Sequence, residues 1–162
     1  MQKSTLPESQ KRTKSAHKAQ IILAVFAFVI AVAVWLWWSY ATTVEDTQEL
    51  VIADTEVTVE IADTQDAREK GLSGRDDLSD GQGMLFVFDN PGLYSFHMQD
   101  MEFAIDIIWL DESRRVVDIV SDVSPDTYPQ TFSSSSAAKY VLEVPAGFSN
   151  EHDLARGMSA EW

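Results

Sequence analysis

The stretch Gly83–Asp111, GMLFVFDNPGLYSFHMQDMEFAIDIIWLD, decides the fold of this chain. It contains two runs rich in aromatic and β-branched residues, Met84–Phe88 and Phe103–Leu110, with a third run, Leu93–Met98, between them. Residues of these types favour β-strands. Residues 89–92, Asp-Asn-Pro-Gly, which are typical of tight turns, separate Met84–Phe88 from Leu93–Met98. The sequence therefore predicts a β-hairpin at this point.

The segments that flank this stretch also carry strand patterns. Residues Glu49–Ile61 alternate apolar and polar side chains at their C-terminal end, as in a half-buried strand. Two further strands are predicted at Arg115–Val120 and Lys139–Val144. Between them, Ser121–Ser136 holds two prolines and four consecutive serines, which indicates a long surface loop.

One short helix is predicted, over Gln65–Lys70. Asp63 and Thr64 precede it and can cap its N-terminus, and Gly71 can end it. About six or seven short strands with one small helix indicate a mostly-β fold. We expect a compact antiparallel barrel-like or sandwich-like domain over residues 49–162, in preference to a βαβ architecture.

The N-terminal part of the chain predicts a membrane anchor. Residues 1–20 form a basic tail, and no charged residue lies between Ala19 and Val44. The apolar run Ile21–Trp38 within it spans roughly 27 Å as a helix, close to a bilayer core of about 30 Å. Tryptophans at its far end resemble an interfacial belt. We therefore expect a transmembrane helix at 21–41 and a linker at 42–48.

The basic tail places the N-terminus in the cytoplasm by the positive-inside rule, and the domain outside it. The expected location is thus the cell membrane, with a single span and the membrane as a partner through residues 21–41. The alternative is a signal peptide cleaved after Ala41, since Ser39, Tyr40 and Ala41 fit a small-x-small cleavage site. Either outcome exports the domain.

The charge of the exported part limits its partners. From Val44 onward the chain holds 7 basic and 25 acidic residues, a formal charge of −18. Such a domain is repelled by nucleic acid, so no nucleic-acid partner is expected. The absence of cysteine excludes disulfides and thiolate chemistry.

Asp106 is the first candidate site residue, because it lies inside the apolar run Phe103–Leu110. A carboxylate buried there needs a partner. Arg75 offers a forked set of donors, so we predict a structural pair between Arg75 and Asp106. The same pair can alternatively form the polar floor of a ligand pocket.

A second candidate group consists of His97, Asp100, Glu102 and Asp106, which lie within ten residues. Alternation along a strand places 97 and 100 on opposite sides, so these two converge only if the chain bends after Met98. Zinc sites use three or four ligands of fixed geometry, and one histidine among carboxylates is weak evidence for one. We expect no metal and no cofactor.

Several segments resemble the family called domain of unknown function 192. The matching segments are Asp63–Arg68, Gly71-Leu72, Arg75, Gly83–Phe86, Phe88, Phe96, Met98, Asp106-Ile107 and Tyr140–Gly147. The resemblance covers roughly Val57 to Met158. It implies a compact mostly-β domain, often secreted or membrane-anchored, whose biochemical role is not established.

This chain departs from the pattern of that family in one segment. The family usually reads Phe-Trp-Met-Lys-Asn-Thr where this chain has Phe96-His-Met-Gln-Asp-Met101, and Pro where it has Ala104. A large aromatic residue and a cation are therefore missing here.

Two functions follow as expectations. The first is a membrane-anchored, extracytoplasmic binding or accessory module of unknown ligand, with Arg75, His97, Asp100 and Asp106 as ligand-binding residues. The alternative is a hydrolase that uses Asp106 or Asp100 together with His97, since histidine exchanges protons near neutral pH. No nucleophile elbow or phosphate-binding loop supports catalysis, so the expectation leans towards a protein without enzymatic activity.

Overall fold

The computed structural model describes residues 22–35 and 47–162. The chain divides into two units, Met1–Val44 and Glu45–Trp162. In the first unit, residues 22–35 form helix α1, with exposed side chains. Within the two described ranges, no helix has both the length and the hydropathy needed to cross a bilayer. The predicted tail at 1–20, residues 21 and 36–41 of the predicted transmembrane helix, and linker residues 42–46 lie outside the described residues, so the anchor stays a prediction.

Residues 47–162 form nine strands and two short helices, which confirms a mostly-β fold. The strands are β1 (Thr47–Ile52), β2 (Thr55–Ala62), β3 (Gln82–Gly92), β4 (Ser95–Phe96), β5 (Ile105–Leu110), β6 (Val116–Val123), β7 (Phe132–Ser133), β8 (Ala138–Pro145) and β9 (Ala160–Glu161). The helices are α2 (Gln65–Lys70) and α3 (Phe148–Glu151), and a 3₁₀ turn covers Pro125–Thr127.

Seven of these strands form one sheet in the order β6-β5-β8-β3-β2-β1-β9. The sheet is curled like half of a barrel. β4 and β7 form a separate two-stranded sheet. Neighbours in the large sheet are antiparallel, except for β2 and β3, which run parallel.

The parallel pair corrects the expectation of an antiparallel domain without a βαβ unit. α2 and the glycine-containing loop after it carry the chain back along the sheet before β3 begins. A connection between parallel strands needs a dozen or more residues, and this segment supplies them. The helix itself was predicted correctly. The Thr64 hydroxyl accepts a hydrogen bond from the Ala67 amide at 3.2 Å, and Gly71 ends the helix with φ of 50°.

One turn was missed in a segment predicted as a single strand, and one turn was predicted where a strand continues. The segment Glu49–Ile61 is a hairpin of two strands, because Ala53 and Asp54 both take positive φ angles, 49° and 58°. Positive φ at both central residues is typical of a type I′ turn. Residues 89–92, predicted as a turn, lie inside β3, where the register with β8 shifts between Val87 and Gly92. Proline has no amide to donate to a ladder, and the extra residues form an irregular bulge.

The large sheet has two buried faces. On the first face, Leu50, Leu85, Ile108, Leu142 and the α3 residue Phe148 form one core cluster. On the second face, the alternating residues of β3, β5 and β8 form another cluster with Met98 of the loop after β4: Phe86, Met98, Ile107, Trp109 and Val141. Because side chains alternate along a strand, each buried residue of β5 and β8 belongs to one face or the other.

Candidate functional site

A cavity of about 490 Å³ lies over the second face of the sheet. Its walls come from α2 and the residues after it, from β3 and β4, and from the loop between β4 and β5. The apolar part of the lining consists of Leu72, Phe86, Phe88, Phe96, Met101 and Ile105. A volume of this size and an apolar lining with a few polar groups are typical of small-molecule sites.

Aromatic contacts build one wall of the cavity. The rings of Phe86 and Phe96 meet edge to face, with centroids 4.9 Å apart. The rings of Phe88 and Tyr94 are stacked. These pairs join β3 to β4, and their fixed geometry holds the wall in place.

Arg68 lies at the edge of this wall, but its guanidinium has a structural role. Its Nη1 donates hydrogen bonds to the carbonyl oxygens of Asp63 at 2.5 Å and Val87 at 2.8 Å. The same guanidinium lies 5.2 Å from the centroid of the Phe88 ring. Arg68 thereby fastens α2 to β3.

Glu143 lies in the lining of the cavity, on β8, and is 6% exposed. Its neighbours on the adjacent strands are Met84 and Ile107, which offer no hydrogen bond. In the described part of the chain, no group forms a hydrogen bond or an ion pair with its carboxyl. Burial raises the pKa of Glu143 to about 8, because the charged form loses its hydration. The side chain is therefore mostly a neutral acid at pH 7.

An ionisable group buried in this way is unusual. Buried polar groups are nearly always hydrogen-bonded, and an exception asks for an explanation such as a functional role. Groups with a strongly perturbed pKa in a cleft are candidates for functional sites. Glu143 was not among the residues predicted from the sequence, although it has the same signal as Asp106: a single carboxylate within the apolar run Tyr140–Val144.

Asp106 is fully buried, but it does not form the predicted pair with Arg75. Its Oδ1 accepts hydrogen bonds from the amides of Asp122 at 2.8 Å and Gly147 at 3.1 Å, and its Oδ2 accepts one from the amide of Ser149 at 2.7 Å. Three backbone donors satisfy the carboxylate without a cation. Asp106 thus holds β6 and the start of α3 onto β5. Its role is structural, but its partners are backbone amides and not the guanidinium of Arg75.

Arg75 forms its ion pair with Glu60 of β2 instead. Its Nη1 lies 2.5 Å from Oε1 of Glu60, and its Nη2 contacts Oε2 of the same carboxylate. The two side chains are 24% and 20% exposed. This bidentate pair fixes the loop after α2 to β2.

His97 and Asp100 both line the cavity, so the chain does bend after Met98. Asp100 has a φ of 54°, and the Met101 amide donates to the Met98 carbonyl. The His97 Nδ1 accepts a hydrogen bond from the Gln99 amide at 3.3 Å. The structure therefore brings His97 and Asp100 together with Glu143, while Asp106 lies on the other face. Among the described residues, no three histidine or acidic side chains are grouped so that they could hold a metal ion.

Comparison with known protein families shows the family to which this domain belongs. A model of the family DUF192, described as "Uncharacterized ACR", matches residues 48–162. The chain belongs to the DUF192 family. Of the residues at which the chain departs from the family pattern given above, His97, Gln99, Asp100 and Met101 line the cavity, whereas Ala104 does not.

Two relatives carry the name UPF0127 protein. The one from Thermococcus gammatolerans is 33% identical over 104 residues, which cover 64% of this chain and 65% of the relative. The one from Thermococcus kodakarensis is 31% identical over 104 residues and 64% of each chain. The chain thus matches about two thirds of the length of these relatives.

Two solved structures are similar in fold. A protein of unknown function from Novosphingobium aromaticivorans superposes with a TM-score of 0.68 at 24% identity. The match covers 75% of this chain and 89% of the other chain. A protein from Sinorhizobium meliloti, named as a candidate transcription regulator, gives a TM-score of 0.65 at 25% identity over 70% of this chain and 89% of its own.

Proposed function

We propose that this DUF192 protein is a small-molecule-binding module, and that its ligand occupies the cavity between α2, β3 and β4 and contacts Glu143. One observation carries this proposal: a cavity of about 490 Å³ with aromatic walls has a buried carboxyl in its lining. An apolar pocket with few convergent polar groups and a perturbed ionisable group is a standard candidate for a ligand site.

The proposal includes the expected location of the domain outside the cytoplasm, held by residues 21–41. The uncharged run and the basic tail before it support this part. Protease added to spheroplasts should digest the domain and leave the tail protected, whereas protection of the domain would contradict this orientation.

The hydrolase alternative is not proposed. Its form with His97 and Asp100 has no support beyond their common place in the cavity lining. Its form with Asp106 fails, because the carboxylate of Asp106 accepts three backbone amides on the opposite face of the sheet. These hydrogen bonds occupy its oxygens and keep it away from the cavity.

Ligand-observed NMR with a library of chemically mixed fragments tests the binding proposal on the full chain in lipid nanodiscs. The variant Lys70→Trp places a bulky ring in the lining, at an exposed position of α2. The matched control is Asp66→Trp on the same helix, exposed but not part of the lining. We expect fragment signals that Lys70→Trp removes and Asp66→Trp retains. Equal binding to both variants would refute a site in this cavity.

A further inference from the structure

We propose that the ligand of this cavity is an organic amine, whose ammonium group forms an ion pair with the carboxylate of Glu143 and displaces the proton of that side chain. This inference rests on the proposed function and names its ligand class. It depends on the position of the carboxyl, the composition of the walls and the charge balance around them.

The position of Glu143 favours a cationic group. Glu143 is 6% exposed, lines the cavity, and has the apolar residues Met84 and Ile107 as its register neighbours on the two adjacent strands. An ammonium ion supplies three donors and a full positive charge, so it satisfies the group that apolar neighbours leave unsatisfied. An anionic ligand would be repelled once Glu143 ionises.

The walls suit an organic cation. The rings of Phe86 and Phe96 line the cavity together, and the faces of aromatic rings attract ammonium groups. The apolar side chains of Leu72 and Ile105 can contact the hydrocarbon part of the amine.

The other charged groups around the cavity nearly cancel. Two cations, Arg68 and Lys70, and two carboxylates, Glu69 and Asp100, line it, together with His97. The guanidinium of Arg68 is bound to two carbonyls, and the carboxylate of Glu69 accepts a hydrogen bond from Gln65 at 2.8 Å.

Two further groups complete the local charge balance. Glu60, two strands away from Glu143 in the same register, is bound to Arg75. Among the described acidic groups at the cavity, Glu143 is the one that is buried and accepts no hydrogen bond, since Glu69 and Asp100 accept from Gln65 and Gln99. The formal charge of −18 from Val44 onward also attracts cations from solution.

The proton balance of binding follows directly. The reaction is Glu143–COOH + R–NH₃⁺ → Glu143–COO⁻···⁺H₃N–R + H⁺, with the proton passing to the buffer. With a pKa of about 8 for Glu143, about 0.9 proton per bound amine is released at pH 7. The apparent affinity should rise about fifty-fold from pH 6 to pH 8, as the ionised fraction of Glu143 grows. It should fall again once the amine itself loses its proton.

Calorimetric titration of the full chain in nanodiscs tests this inference. The probes are primary amines, from ethylamine to 2-phenylethylamine and spermidine, and the alcohols of the same carbon skeletons. Titrations at pH 7 in two buffers of different ionisation enthalpy measure the protons released. We expect amines to bind at least ten-fold more tightly than their alcohols, with about 0.9 proton released.

Two variants distinguish an ion pair between the amine and Glu143 from a general attraction of the amine to the acidic domain. Glu143→Gln should reduce amine affinity at least ten-fold and abolish proton release, because the amide cannot ionise. Glu102→Gln makes the same charge change at an exposed position outside the lining, and it should keep both amine affinity and proton release.

Three results would overturn the inference: no binding by any amine of the panel, alcohols binding as tightly as amines, or amine binding without proton release. If fragments still bind and Lys70→Trp blocks them, the proposed function stands and only the ligand class is wrong. If Lys70→Trp and Asp66→Trp bind fragments equally, the proposed function itself fails.

Discussion

Glu143 on β8 and Asp106 on β5 lie on adjacent strands one residue out of register, and their side chains leave the sheet on opposite faces. Asp106 is opposite Val144, whereas Glu143 is opposite Ile107. Both carboxyls are buried. Asp106 receives three backbone hydrogen bonds, whereas Glu143 faces the cavity with a raised pKa. One sheet thus holds a structural carboxylate and a candidate ligand-binding acid side by side.

The first prediction concerns Glu143 and the pH dependence of stability. Because burial raises the pKa of Glu143 from 4.5 to about 8, the folded state binds a proton that the unfolded state has lost between these pH values. The free energy of unfolding should therefore fall as pH rises through this window, by roughly 5 kcal/mol from this group.

Urea unfolding from pH 4 to pH 9 measures this effect. The difference in unfolding free energy between Glu143→Gln and the wild type should grow in favour of the variant as pH rises. Glu102→Gln should follow the wild-type profile. Parallel curves for the wild type and Glu143→Gln would show that Glu143 titrates normally.

The second prediction concerns Asp106. Asp106→Ala leaves three amides without their acceptor, a buried one at Ser149 and partly buried ones at Asp122 and Gly147. An orphaned buried donor costs about 1–3 kcal/mol. We expect a loss of at least about 3 kcal/mol in the free energy of unfolding, measured by urea denaturation. The control, Asp89→Ala at an exposed position, should change it by less than about 0.5 kcal/mol. If Asp106→Ala lowered the free energy of unfolding as little as the control does, the three hydrogen bonds of Asp106 would have no structural role.

The third prediction identifies the partner of Arg75. A double-mutant cycle of Arg75→Ala with Glu60→Ala should give a coupling energy of about 1 kcal/mol, as for a bidentate but partly exposed pair. A cycle of Arg75→Ala with Asp106→Ala should give less than about 0.5 kcal/mol. If the cycle with Asp106 gave the larger coupling energy, Arg75 would pair with Asp106 as predicted from sequence. That result would contradict the geometry described above.

Local signals allowed part of this fold to be predicted. α2 was predicted with its correct bounds, because Thr64 and Gly71 act on the residues next to them. The hairpin turn at Ala53 and Asp54 was missed, because the usual Asn-Gly signal is absent. At residues 89–92, turn-forming residues produce a bulge, since the pairing of β3 with the distant β8 decides their conformation.

The site was harder to predict for the same reason. The apolar residues around Asp106 in the sequence indicate that its carboxylate is buried and needs partners. Its three donors, however, are 16, 41 and 43 residues away in the chain. Only the topology brings them together. His97 and Asp100 were selected and do line the cavity, whereas Glu143 was passed over within a strong strand pattern. A lone carboxylate in an apolar strand is the signal that would have found it.

The most direct test of this account is an NMR titration of the Glu143 side-chain carboxyl carbon, assigned by comparison with Glu143→Gln. A buried acid facing the cavity should titrate with a midpoint near pH 8, far above the ordinary value of 4.5. Occupation of the cavity by an amine should shift that midpoint downwards, because the ammonium stabilises the carboxylate. A midpoint near 4.5 in the empty protein would show a solvated carboxylate, and would contradict the site proposed here.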